Sequence, residues 1–290
     1  MAAENKPPSP GRITPFHFVR QKRQGGRIAM VTAYDSPSGK LAETAGIDGI
    51  LVGDSAAMAV LGHDSTVQIT VDEMVVLTRA VARSVHKPLV VADMPFGSFQ
   101  VSDEEAVRHA VRLIKEGGAG AVKLEGAGPT LTRVKAIVGV GIPVMGHVGL
   151  TPQSAVALGG FRVQGRRARD AQRLYDEALA LQGAGCFAVV LEAIPAAVAA
   201  KITPALDIPT IGIGAGLECD GQILVWHDLL GLTTGHVPSF VKRYADLGGA
   251  ARTALEAYVS DVKERRFPGP EHTYDMAEGE QELFERARSG

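Results

Sequence analysis

Residues 89–96 read LVVADMPF: four consecutive apolar positions, then a carboxylate at Asp93. A strand that is apolar at every position is buried on both faces, as parallel strands between helices are. The same construction, an apolar run ended by an acid, recurs at ILVGDS (50–55), AVKLEG (121–126) and AVVLEAI (188–194). The full set of short apolar runs lies near 28–34, 49–53, 88–92, 120–124, 142–147, 187–192, 208–213 and 222–226. Helical stretches separate most of them. Thr70-Val-Asp-Glu73 and Ser102-Asp-Glu-Glu105 have the pattern of a capping box, and Gly46 and Gly117 stand where a C′ glycine ends a helix. Strands and helices alternating in this number predict a single (β/α)8 TIM barrel of the α/β class; the rival is a doubly wound open sheet. Between runs seven and eight the interval LECDG (217–221) is too short for a full helix.

The chain of 290 residues suffices for one large domain. Residues 1–12 are rich in proline, serine and charge and are expected to be disordered; Thr14-Pro15 then reads as an N-cap with proline at N1, opening a short helix through Gln24. The barrel is expected over 13–274, with a polar tail at 275–290. Formal net charge −2 without a basic block argues against nucleic acid as a partner. No apolar run is long enough to span a membrane, and the first residues lack a signal peptide's apolar core, so the expected compartment is the cytoplasm. Cys186 and Cys219, the only cysteines, read as free thiols of a reducing compartment. Met58, Met74 and Met94 read as core fillers.

In a parallel barrel every strand ends at one face, where active sites are built. Asp54, Asp93, Glu125 and Glu192 end four of the runs, so the fold brings them to one mouth although they are far apart in sequence. Crowded carboxylates repel and resist desolvation unless positive charge offsets them. A hard divalent cation with oxygen ligands is the economical solution, and Mg2+ is the expected ion, since the histidines show no zinc spacing. A single acid after a strand is more often a cap or turn residue, and Asp35, Asp103 and Asp170 fit that role. Lys123 shares a strand face with Glu125 and has two readings, an ion pair with Glu125 or the group that meets an anionic substrate. His147 at the end of run five reads as a structural histidine or a substrate contact. The glycines of GIGAG (212–216) lack the Rossmann spacing and mark either backbone approach to a ligand or crowding at the barrel rim.

The stretches AYDSPSGKLAETAGID, VGDSAAM, LGHDST, VVADMPFGSF, AVKLEG, MGHVGLTPQS and CDGQILVWHDLLG together closely resemble the ketopantoate hydroxymethyltransferase family, from about Thr14 to Tyr274. That resemblance implies a magnesium-dependent (β/α)8 barrel of pantothenate biosynthesis. Such an enzyme joins a one-carbon unit from 5,10-methylenetetrahydrofolate to 3-methyl-2-oxobutanoate through a metal-stabilised enolate, giving 2-dehydropantoate. It implies Asp54 and Asp93 as metal ligands with Glu125 completing the metal environment, and Asp54, Ser55, Asp93 and Lys123 as contacts to the keto acid. Glu192 is then the proton acceptor, and the assembly a homo-oligomer, typically a decamer. Ala57 stands where the family's pattern has glycine, which bears on fine substrate preference. The alternatives are a metal-dependent keto-acid lyase of the phosphoenolpyruvate mutase and isocitrate lyase type, a class I aldolase with Lys123 as imine former, and a non-catalytic ligand-binding barrel. The lyase would need a nucleophilic cysteine in a mobile loop.

Overall fold

Each apolar run becomes a strand that pairs in parallel with its sequence neighbours: β1 (Ile28–Thr32), β2 (Gly49–Val52), β3 (Leu89–Asp93), β4 (Ala121–Lys123), β5 (Val144–Gly149), β6 (Ala188–Glu192), β7 (Thr210–Ile213) and β8 (Gly221–Leu224). β8 returns to β1, with Ile28 opposite Gly221 and Val31 opposite Leu224, so the sheet closes and both edges vanish. Closure decides for the barrel over the open sheet. The computed structural model describes residues 11–157, 159–235 and 237–288. Of the segment 1–12, residues 1–10 lie outside the described residues.

The helices are α1 (Pro15–Arg23) before the barrel, then α2 (Ser36–Thr44), α3 (Ala56–Ala59), α4 (Val71–Ala82), α5 (Asp103–Lys115), α6 (Thr130–Gly139), α7 (Ala168–Gly183) and α8 (Ala196–Ala205) in its crossovers. No helix joins β7 to β8. Thr70 and Glu73 make both arms of the capping box of α4. In α5 Ser102 accepts from the Glu105 backbone at 3.1 Å, while the Glu105 carboxylate turns to Arg108 at 2.9 Å. Gly46 takes the left-handed conformation expected of it, at φ +83°. After α5 that conformation falls on Gly118 (φ +78°), not Gly117, which instead sits tightly against Leu113 and Thr78.

Alternation along the strands builds two apolar layers. Leu51, Val91, Met145, Val190 and Ile211 fill the barrel interior. Ile50, Val52, Val90, Val122, Val144 and Leu191 face the helices, meeting Val81, Leu113, Ile137, Leu181 and Ile202. Phe18 of α1 belongs to the interior layer, stacks edge-on against Phe187, and fills the space where a Cβ on Gly49 would stand. The strand N-terminal end is thereby stoppered with apolar surface, which leaves the opposite mouth for polar groups. Met74 and Met94 are core residues as expected, but Met58 is 44% exposed, because the one-turn α3 buries Ala56 and Ala57 instead.

By contacts the chain divides into two compact units: the residues up to Leu229 with Thr233–Lys242, and Leu230–Leu232 with Arg243 onward. The first holds the barrel and the short α9 (Trp226–Leu229). The second consists of α10 (Leu247–Lys263), capped by Asp246 on Gly249 N, a 3-10 turn at Pro270–His272 and α11 (Glu280–Ala287). No residue of α10 or α11 is buried. Among the described residues no helix is long and apolar enough to cross a membrane. Cys186 and Cys219 are free and buried.

Candidate active site

The strand register lines up the charged groups. Asp93 ends β3 directly opposite Lys123, the last residue of β4. Lys123 Nζ donates to both Asp93 oxygens, at 2.8 and 2.9 Å, and lies 3.7 Å from Glu125 Oε1. Of the two readings of Lys123, the ion pair is present, but its principal partner is Asp93. Asp54 follows β2, and its backbone N–H reaches Asp93 Oδ2 at 3.3 Å. His147, on β5, stands between two acids: Nδ1 is 3.6 Å from Glu125 Oε1 and Nε2 is 3.3 Å from Glu192 Oε2. Neither contact has hydrogen-bond geometry, so both are ion-pair approaches. The six groups form one continuous row across the mouth, from Asp54 to Glu192.

Backbone geometry holds the far end of the row. Gly149, at φ +104°, lets β5 pass so close to Glu192 that a Cβ would collide with the Glu192 carbonyl oxygen. Leu150 N donates to that oxygen at 2.9 Å, and the next residue, Ala193, adopts φ +46°, a left-handed conformation that alanine avoids. Strain of about 1–3 kcal/mol persists only where the surroundings impose it. Here Ala193 N donates to Ile213 O and its carbonyl accepts from Gln164 N, both at 2.9 Å.

At the near end Ser55 Oγ lies 2.9 Å from the hydroxyl of Tyr34, which accepts from Thr32 Oγ1 at 2.9 Å. Burial pushes the Tyr34 hydroxyl up to about 12, so it stays a neutral donor. GIGAG is crowded by the protein itself: a Cβ on Gly214 would lie 2.6 Å from Phe240, and one on Gly216 2.6 Å from Ala196. Asp35 caps α2 through Ser38 N at 2.8 Å, Asp103 opens α5 and pairs with Arg133, and Asp170 lies in the first turn of α7. These acids stay outside the row. A groove of about 570 Å3 between α6 and α7, lined by Leu131, Arg169, Arg173 and Glu177, contains none of its members.

Burial, then Asp93 and Glu125, push the Asp54 carboxyl well above the usual carboxylate range. Burial also raises Asp93, although Lys123 opposes it. Glu125 runs the other way: burial would raise it, but His147 and Lys123 hold it below its ordinary value. Burial would strip Lys123 and His147 of their protons, yet the acids around them win. Lys123 is held above its ordinary value, and His147 is pushed up to about 9. Both are charged at neutral pH. Fully ionised, the four carboxylates outnumber the two cations by two negative charges, and the raised Asp54 and Asp93 are where that excess is felt.

That excess matches a divalent cation. Among the described residues no three His, Cys, Asp or Glu side chains form a ready-made metal shell. Mg2+ does not require one, since it commonly binds one or two carboxylates and completes its octahedron with water and substrate. Asp54 and Asp93 fit as that pair, and the buried Glu125 Oε1, within ion-pair range of Lys123 and His147, is a further oxygen that accepts no hydrogen bond.

The expected site residues Asp54, Ser55, Asp93, Lys123, Glu125, His147 and Glu192 thus meet at one mouth. Sequence reasoning gave no role to Gln153, whose Nε2 donates to Asp54 Oδ2 at 3.0 Å, or to Tyr34. The available signal for Gln153 was a polar residue just after β5 that caps no helix.

Residues 12–270 match the family model described as ketopantoate hydroxymethyltransferase. A 3-methyl-2-oxobutanoate hydroxymethyltransferase of Carboxydothermus hydrogenoformans is 53% identical over 275 residues, covering 95% of this chain and 99% of its own. Solved structures share the fold at low identity. A phosphonopyruvate hydrolase in complex with oxalate and Mg2+ aligns at TM-score 0.56 and 16% identity, over 95% of this chain and 96% of that one. A 2,3-dimethylmalate lyase of the PEP mutase/isocitrate lyase superfamily aligns at TM-score 0.58 and 16% identity, over 97% and 100%.

Proposed function

The chain belongs to the ketopantoate hydroxymethyltransferase family of enzymes, and we propose that it moves a one-carbon unit from 5,10-methylenetetrahydrofolate to 3-methyl-2-oxobutanoate, giving 2-dehydropantoate, with Mg2+ at the barrel mouth. The observation that carries this reading is the buried row of acids whose charge Lys123 and His147 only half offset. Asp54 and Asp93 would hold the ion, with Glu125 completing its surroundings. Bound there, Mg2+ supplies Lewis acidity to the oxygens of an α-keto acid.

The chain's own residues do the rest. Lys123, kept charged by Asp93 and Glu125, offers positive charge to the keto acid's carboxylate or developing enolate oxygen. The Ser55 hydroxyl, held by Tyr34, offers a hydrogen bond beside Asp54. Glu192 is the proton acceptor for C3. It is the most accessible acid of the row, with 16% of its side chain exposed against 1% for Asp93 and 3% for Glu125. A carboxylate is a weak base toward a C–H bond, so most of the barrier reduction must come from stabilising the enolate. The imidazolium of His147 keeps Glu192 oriented. Water opens the methylene bridge of the folate lying among the βα-loops: both C–N bonds break, the two nitrogens take the water's protons, tetrahydrofolate leaves, and the water oxygen stays on the one-carbon unit. The enolate carbon forms the new C–C bond to that carbon, and the proton taken from C3 ends on its oxygen as the product hydroxyl.

The lyase alternative needs an exposed, reactive thiol, yet Cys186 and Cys219 are buried, and burial pushes the Cys186 thiol up to about 12. An imine at Lys123 needs a neutral amine, and the acids oppose that. The reading also includes a cytoplasmic location and a homo-oligomer, in this family typically a decamer. Leu255, Tyr258, Val259 and Val262 of α10, all exposed and spaced along one helix face, supply apolar surface for assembly. The deciding experiment follows 2-dehydropantoate formation from keto acid and 5,10-methylenetetrahydrofolate. Product that requires both folate and Mg2+ is expected, and no product with both present refutes the reading.

A further inference from the structure

Gln153 belongs to a 3-10 turn, Pro152–Ser154, just beyond β5, and is only 6% exposed. From there it touches the ends of three other strands. Its Nε2 donates to Asp54 Oδ2 at 3.0 Å and to Met94 O at 2.9 Å, and its backbone N–H donates to Glu125 Oε2 at 3.0 Å. The amide cannot be turned over. A flip would set Oε1 2.9 Å from the Met94 carbonyl oxygen, which can never donate, and would take from Asp54 Oδ2 its amide donor. Gln153 Oε1 must therefore point the other way, and there it is buried without a hydrogen-bond partner; Glu125 Oε1 likewise accepts no hydrogen bond, though it has Lys123 and His147 within ion-pair range. A buried acceptor left unmade is costly, so such an oxygen marks where a donor or cation is to arrive.

We propose that Gln153 is a positioning residue for the ion site. It commits one oxygen of Asp54 to the protein, leaving the other for a ligand, and it fixes Glu125 through its own backbone. Its Oε1 adds a neutral oxygen, of the kind that hard divalent cations and their waters accept. One residue thus sets the relative placement of acids that enter on different strands, and it ties the β5–α7 loop to them. Outer partners of metal-binding carboxylates commonly act in this way. The inference rests on the Mg2+ reading given above.

The test is Mg2+ titration calorimetry on the metal-free full-length protein without keto acid, comparing parent, Gln153→Met and Gln153→Glu, with circular dichroism to confirm folding. Gln153→Met keeps the volume and loses every polar contact of the side chain. Its affinity should fall on the order of 10–100-fold, the usual loss on removing such a partner. Gln153→Glu discriminates by sign. If the residue only fills space, an added negative charge tightens Mg2+ binding. If its N–H groups position Asp54, their replacement by oxygen turns two hydrogen bonds into repulsions, and binding weakens. Parent-like affinity in Gln153→Met, or tighter binding in Gln153→Glu, overturns the proposal. Should Gln153→Met fail to fold, Gln153→Glu decides, and loss of fold in both assigns the residue to stability and overturns it equally. Failure of the parent itself to bind Mg2+ would remove the functional reading instead.

Discussion

Replacing Glu192 by glutamine separates proton abstraction from every other job of the site. The variant is nearly isosteric and keeps an oxygen to face His147 Nε2, which lies 3.3 Å away in the parent. The backbone on either side is clamped by bonds that the side chain does not make, Leu150 N to Glu192 O and Ala193 N to Ile213 O. The fold and the Asp54–Asp93 end of the row should therefore survive, and with them Mg2+ and keto-acid binding. What is lost is a proton acceptor, an effect on the order of 10²–10⁴-fold, or about 3–5 kcal/mol of barrier. Enolisation needs base, metal and keto acid but no folate, so loss of the C3 proton signal of 3-methyl-2-oxobutanoate in deuterated water, followed by NMR, isolates the step. The neighbouring base candidate is disabled in the parent, because His147 is pushed up to about 9 by Glu125 and Glu192 and holds its proton at neutral pH. In the variant His147 loses one of these acids and releases its proton more readily. Residual exchange that climbs with pH would be its signature. Parent-rate exchange in Glu192→Gln at neutral pH and equal metal occupancy would refute the assignment.

Asp54→Asn and Asp93→Asn each remove an anionic oxygen at constant volume. Mg2+ affinity measured by calorimetry should fall steeply in both with circular dichroism unchanged, and parent-like binding would show that these acids are not ligands. Sodium borohydride with the keto acid should leave the protein mass unchanged while EDTA abolishes turnover; a reduced adduct at Lys123 in the mass spectrum would move the chemistry to an imine. The metal-free protein should melt at progressively lower temperature as pH rises. Asp54, Asp93 and His147 all bind protons more tightly folded than unfolded, so their stabilisation is complete below the unfolded values and is lost through the raised ones, which for His147 means between 6.5 and about 9. Glu125, held low, loses its contribution only on acidification. Saturating Mg2+ should flatten the alkaline decline, and an equal decline with and without the ion would argue against charge balance at the mouth.

The barrel was legible because its signal is local: an apolar run, a capped helix, another run, repeated until the sheet can close. The acids were legible for the same reason, since strand end and carboxylate are adjacent in sequence and the fold alone sends them to one face. What escaped depended on register and on distant partners. Lys123 was set against Glu125, its neighbour on the strand face, whereas pairing of β3 with β4 brings it to Asp93. Gln153 lies 99 positions from Asp54, and only the closed barrel puts them 3.0 Å apart. Met58 read as core because methionine is apolar, but a single helical turn has room to bury only its alanines. The glycines of GIGAG could not be assigned until Phe240 and Ala196 were seen to occupy the space that side chains would need.

The row at the mouth also explains why one carboxyl stands apart electrostatically. Lys123 spends its charge on Asp93 and then Glu125, and His147 divides its own between Glu125 and Glu192. Asp54 receives only an amide N–H from Gln153 and the distant field of Lys123, so its ionisation is the one the protein leaves unsupported. Without a cation the charged form of that carboxyl has the least support in the row. An arriving divalent ion supplies the missing support and competes with protons for the same oxygens, which couples its affinity to pH. Asp54 is then the part of the site whose charged form depends on the ligand and not on the protein.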